Sequence, residues 1–350
     1  MLHSIQALRA IAAAAVALLH CLNFLPGSLG FSFPTTFYIS GIGAAGIHIF
    51  FVVSGFIMVW TNRDGKSDWR IFLRRRFSRI YPSYWFLAAL SIPIAILLGK
   101  KLPQSFEMWL GSVLLLPKGS SALIFVGWTL AYEIYFYLLF TIVLALGLSA
   151  LNRVIWLSVF FAASVALGNF WSIPAGDFFG IPKLITSPLL LEFAAGAWLG
   201  WIASRGFNMS PKSAAGLIIA ALIGFSASIW VDYQNYPLVI LWGIPSVFLV
   251  FGCVALEKEG HGDRFFRWLS PLGDSSYALY LIHAILIPVI IACIPSFDHL
   301  SFPTYLTLSF AMFLVIVVLS HLYFLYVETR LIRISNQYLS KKRNLSRHSQ

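Results

Sequence analysis

The chain has 350 residues, a mean hydropathy of +0.83, only 11% charged residues and a formal net charge of +11. A soluble domain carries about twice that density of charge, so a soluble enzyme is excluded, and with it the nucleic-acid partner that a basic balance would otherwise suggest. The apolar runs are continuous rather than alternating, which points to an all-α polytopic membrane bundle, because helices satisfy their own backbone in lipid.

Ten candidate transmembrane helices follow one another at 5–25, 42–61, 81–98, 129–149, 153–170, 186–203, 213–231, 237–256, 275–294 and 303–326. A shorter apolar piece at 108–116 cannot cross alone and reads as interfacial or re-entrant. Basic residues are segregated. Seven Lys/Arg fall in a loop at 62–80, six after 327, three in 257–274, and Arg153, Arg205 and Lys212 join them if ten spans alternate. The other face has Lys100, Lys101, Lys118 and Lys183. The positive-inside rule then puts both termini in the cytoplasm. The expected organisation is one membrane-embedded domain, 1–335, with a basic cytoplasmic tail, 336–350, in a bacterial inner membrane. The first span is read as a helix that stays, not as a cleaved leader, since His20 precedes Cys21 where small residues are wanted. Cys21, Cys253 and Cys293 are scattered and give neither a disulfide framework nor a metal site.

Ionisable residues inside spans are costly and mark function or close pairing. In the first span, Arg9 and His20 are eleven positions apart, hence on nearly the same helical face with a rise of about 16 Å. Imidazole is a base or a nucleophile near neutral pH, and arginine holds phosphate or carboxylate. The alternative is that Arg9 anchors at the interface and His20 bonds a backbone carbonyl. The second span carries His48 and Ser54. Next, "RRRFSRIYP" concentrates Arg74, Arg75, Arg76 and Arg79 before Pro82. Topology and anionic lipid explain the charge, but guanidinium forks also suit a ligand with several phosphates. In "GWTLAYEIYFYLLF", Glu133 shares a face with Phe136 and Tyr137 and calls for a cationic partner, for which Arg9 and His20 are available. Glu192 lies beside the Gly196/Gly200 pair, which reads as close helix packing. Ser276, Tyr280 and His283 share one face of the ninth span, lining either a polar cavity or a helix contact.

Taken in order, Arg9-x10-His20, "FFVVSGF", "RRFSRIYPSYW", "WTLAYEIYFY", "EFAAGAWLG" and "SYALYLIH" fall within a stretch of roughly residues 4–330. In this order and with ten spans, the chain resembles the acyltransferase 3 family of integral membrane O-acyltransferases, in its exopolysaccharide O-acetyltransferase-like branch. The resemblance implies transfer of an acetyl group from cytoplasmic acetyl-CoA to a carbohydrate hydroxyl. Acetyl-CoA is then a substrate, with no permanently bound cofactor. The acceptor is a carbohydrate or lipid-linked glycan, and the surroundings are membrane lipid. Carried over, Arg9 and His20 match the Arg/His motif, with His20 the catalytic residue. Arg76 and Arg79, with Arg75 beside them, match the donor-side basic motif. Glu133, Tyr137 and His283 occupy motif positions. Glu133 is the expected orienting group for His20, and Ser54, Tyr137, Tyr280 and His283 are the expected cavity residues. "YVETRL" has Thr329 where Glu-x-Pro or Glu-Pro is common. The competing reading is a secondary transporter or flippase for a sugar-containing lipid, in which Arg, Glu and His form a proton path; no repeat halves favour it.

Overall fold

The computed structural model describes residues 2–28, 36–64, 68–171, 180–231, 236–294 and 301–348, and every regular element among them is helical. The helices run α1 (His3–Ser28), α2 (Thr36–Thr61), α3 (Trp69–Leu97), α4 (Phe106–Leu114), α5 (Gly127–Ala145), α6 (Ala150–Phe170) and α7 (Ile181–Thr186). They continue with α8 (Leu190–Ser204), α9 (Pro211–Ala227), α10 (Ile244–Lys258), α11 (Asp263–Asp274), α12 (Ser276–Cys293), α13 (Phe302–Tyr323) and α14 (Thr329–His348). Nine helical stretches among the described residues are long and apolar enough to cross a membrane, so this is an integral membrane protein. Its large exposed side chains, such as Leu138, Ile142, Val159, Ile219, Ile223 and Val318, are apolar because lipid, not water, faces them.

The sixth expected span, 186–203, is a 15-residue helix, α8. At 1.5 Å per residue it is about 22 Å long, short of a hydrocarbon core of about 30 Å. Pro188, which cannot extend a helix backwards, separates it from the one-turn α7. α8 lies against α2 through small residues. A Cβ on Gly196 would stand 1.9 Å from the Val52 carbonyl oxygen, and one on Gly55 2.0 Å from that of Phe193. Only hydrogen fits between these two backbones. The aromatic core closes over the same contact, where Phe193 meets Phe136 at 4.4 Å and Phe51 at 4.7 Å.

Two stretches expected as loops are helical. The basic segment 62–80 is mostly the first three turns of α3, which starts at Trp69 because the Asp68 carboxylate accepts from the Arg70 N–H at 2.8 Å. The stretch 257–274 contains α11, whose polar and apolar faces are sharply separated, with Phe266 buried and Phe265 and Trp268 exposed. Charge made both look like loops, yet α3 is a spanning helix that begins in its basic residues, and an amphipathic helix such as α11 needs charge on one face. α11 lies hard against the start of α1, where a Cβ on Gly273 would come within 2.0 Å of the Gln6 carbonyl oxygen.

The piece expected as interfacial or re-entrant is α4, ended by Leu115 in the left-handed conformation at φ 56°. Helix ends leave carbonyls without partners. Here α3 supplies the donors: Tyr84 to Ser112 O at 2.7 Å, Trp85 Nε1 to Val113 O at 2.8 Å, and Tyr81 to Leu114 O at 3.0 Å. The aromatics of "YPSYW" thus hold α4 in place. α13 leads through a π-turn, Phe324–Glu328, into α14 without a break.

Candidate active site

The four helices α1, α2, α5 and α12 are more than half buried inside the bundle, whereas α9 is mostly exposed on its outside. These central helices carry most of the intramembrane polar residues, and with α3 they enclose a cavity of about 210 Å³. Its walls bring together Arg9, Ser54, Arg76, Arg79, Glu133, Tyr137 and Tyr280, all singled out from sequence. Arg75, turned about 100° from Arg76 along α3, is exposed and does not line the cavity.

Arg9 is buried rather than anchored at an interface. Its Nη1 donates to Gln6 Oε1 at 3.1 Å, and Gln6 Nε2 donates in turn to Asp274 Oδ1 at the end of α11. Gln6 and Asp274 were not legible as partners, because the relay joins residues 268 positions apart. Arg76 lies over the rings of Phe72 and Tyr137, at 5.3 and 5.4 Å from their centroids. Cation–π contact of this kind positions a guanidinium without consuming its donors. Arg76 Nε and Arg79 Nη2 are buried with no hydrogen-bond partner. Three guanidinium groups therefore face a cavity whose one lining carboxylate is Glu133. Such a surplus of donors is built for an anion.

Glu133 accepts from Tyr137 Oη and from Ser54 Oγ, the latter at 3.3 Å. Its expected role as the group orienting His20 is not what the structure shows. His20 pairs instead with His283, Nδ1 to Nε2 at 2.8 Å. His283 is fully buried, and its Nδ1 is 3.0 Å from the Leu279 carbonyl oxygen. The pair lies just outside the cavity, one helical turn past Tyr280, whose ring is 5.7 Å from that of His283 and whose hydroxyl bonds Thr129 Oγ1 at 2.7 Å. Phe125 and Phe24 flank His20 at 5.0 and 5.7 Å. Thr129 and Phe125 carried no signal in the sequence beyond their place next to the Glu133 cluster.

Two further buried carboxylates do not line the cavity, and the charge of one, Glu328, acts on Arg79 and Arg9. Glu192 meets His48 Nδ1 at 2.5 Å between α2 and α8, beside the Trp242 ring. Glu328, in the π-turn, is 1% exposed with neither carboxylate oxygen hydrogen-bonded. Removing one member of a buried pair strands the other, which costs about 3–5 kcal/mol, whereas replacing both with apolar groups costs far less. His48→Ala should therefore lower the thermal midpoint in detergent more than the double change His48→Leu/Glu192→Leu. A double variant as unstable as the single one would show that the pair itself holds α2 to α8.

A family model described as an acyltransferase domain matches residues 2–322. The exopolysaccharide production protein ExoZ of Rhizobium meliloti is 32% identical over 259 residues, covering 71% of this chain and 78% of that protein. The acyltransferase MdmB of Streptomyces mycarofaciens is 27% identical over 274 residues, covering 71% of this chain and 70% of that protein. No solved structure matches.

Proposed function

This chain belongs to the acyltransferase-domain family, and we propose that it moves an acetyl group from acetyl-CoA to a hydroxyl of an exported carbohydrate or lipid-linked glycan. Membership makes it a membrane acyltransferase and leaves the transporter reading without support. The carbohydrate acceptor draws on the likeness to a protein named for exopolysaccharide production. One observation carries the choice of donor: a buried cavity lined by three guanidiniums and a single carboxylate, with unpartnered guanidinium nitrogens, ending within a turn of a paired imidazole.

The cavity is smaller than the roughly 300–1,000 Å³ of sites that enclose a drug-sized ligand. It has room for the acylated arm of the donor and not for its nucleotide. The phosphates then sit at the Arg76/Arg79 end, which the positive-inside bias assigns to the cytoplasm. The arm runs past Arg9 and Tyr280 toward His20. There the imidazole takes the proton from the acceptor hydroxyl as the oxygen attacks the thioester carbonyl. The carbon–sulfur bond breaks, and the same proton passes to the departing sulfur. In the covalent variant of this route, the imidazole attacks first and hands the acetyl group on.

The test is the glycan itself. Mass spectrometry of surface and lipid-linked glycans, from cells with and without this protein, should show acetyl esters that disappear with the gene and return with it. An identical ester pattern in both, with the protein present in the membrane, would remove the carbohydrate acceptor from this reading.

A further inference from the structure

We infer that His283 is a positioning residue, which fixes His20 as the tautomer with its proton on Nδ1 and its lone pair on Nε2. The inference rests on the reading of His20 as the reacting group.

The argument is one of donors and acceptors. The Leu279 carbonyl oxygen, 3.0 Å from His283 Nδ1, can only accept, so Nδ1 of His283 carries a proton. A neutral imidazole has one N–H. His283 Nε2 is then a bare lone pair, and the atom facing it at 2.8 Å, His20 Nδ1, has to be the donor. The one escape from this order is a protonated His283. That would place a cation on a side chain with 0% exposure, hydrogen-bonded to no carboxylate and walled by Phe125 and Tyr280, a placement the solvation cost forbids.

Ring geometry agrees. The two imidazoles are 9° from parallel with centroids 5.0 Å apart. Given a 2.8 Å nitrogen–nitrogen contact, that separation fits two coplanar rings meeting edge to edge; a face-to-face stack would bring the centroids closer. The N–H and the lone pair therefore point at each other in the ring plane. The lone pair of His20 Nε2 is directed away from His283. When Nε2 gains a proton, the Nδ1–H gains acidity and its bond to His283 strengthens. A neutral histidine thus fills the place that a carboxylate holds in a triad. The chain Leu279 O, His283, His20 is set by α12, on which Leu279 and His283 are one turn apart.

The test compares three substitutions in the purified full chain in lipid nanodiscs. [14C]acetyl-CoA is the donor, and the glycan fraction of cells lacking the protein is the acceptor. His283→Gln keeps an acceptor oxygen near the position of Nε2. His283→Phe keeps the volume and offers no acceptor, and His283→Ala keeps neither. We expect kcat for H283Q within about tenfold of the native protein. For H283F and H283A we expect a fall of about 10²-fold or more, in line with a misdirected tautomer, with KM for acetyl-CoA unchanged. Equal rates for H283Q and H283F, at any level, overturn the inference, as does a loss carried by KM. Full activity in His20→Ala fails the underlying reading instead, before His283 is in question. A measurement without variants at 283 is also available. In 15N-histidine spectra of the native protein, the resonances that vanish in H20A should be those of an Nδ1–H imidazole. An Nε2–H imidazole there overturns the proposal directly.

Discussion

His20→Ala is expected to lower acetyl transfer by about 10²–10⁴-fold, the range that a positioned base contributes, while leaving acetyl-CoA affinity within about twofold of native. The two halves of this expectation come from the same geometry. His20 is outside the cavity that holds Arg9, Arg76 and Arg79, and it is about 16 Å from Arg9 along α1, so the donor's phosphates do not feel its loss. Alanine extends the Ala-rich run of α1 without cost to the helix, and His20 is only half-buried. The variant should elute as native protein in size-exclusion chromatography. Isothermal titration with acetyl-CoA and a single-turnover assay with [14C]acetyl-CoA give the two numbers. Withholding the acceptor and quenching divides the routes. Label retained on the native protein and absent from H20A marks an acetyl-imidazole, and no label on either marks direct attack. Native turnover by a folded H20A would end the account of the site.

How much of this was legible in the sequence depends on the range of the contact. Spans were legible because about twenty consecutive apolar residues have one solution in lipid. The small-residue seam at Gly55, Gly196 and Gly200 was half legible, since Gly196 and Gly200 form a spacing and Gly55 gives no hint that it will meet Phe193. Residues 69–80 were misread as a loop. Their charge outweighed the Asp68 cap, and no hydropathy window sees that guanidiniums on one face of α3 turn inward while Arg75 turns out. The partner of His20 was out of reach altogether. Arg9 and His20 share a stripe, and Tyr280 and His283 share another, but the union of the stripes links positions 263 apart. Glu133 was the natural candidate because a carboxylate is the usual orienter of an imidazole. In the fold it is taken by Tyr137 and Ser54.

The double change Arg76→Ala/Arg79→Ala is expected to weaken acetyl-CoA binding by about 10²–10⁴-fold, because hydrogen bonds to charged groups contribute about 1.5–3 kcal/mol each and two such groups are lost. Each side chain reaches the cavity with a nitrogen that no protein group satisfies. Leaving buried donors idle is costly unless a ligand completes them, and an anion with several oxygens completes both. Arg75→Ala is the control. It removes the same charge from the same turn of α3, but from an exposed position, where salt screens it. Its affinity should stay within about twofold of native. A general field from the basic helix would weaken binding in both variants, in proportion to the charges removed; a built phosphate site weakens the pair alone. The truncated donor S-acetylpantetheine sharpens the distinction, since it has the thioester and lacks the nucleotide. Its kcat/KM should be low in the native protein and nearly unchanged by R76A/R79A. If the double variant loses acetyl-CoA and S-acetylpantetheine equally, the two arginines act on the acyl end or on the fold, and the nucleotide must be held elsewhere. If it binds acetyl-CoA as tightly as the native protein, the guanidinium surplus in the cavity serves some other anion.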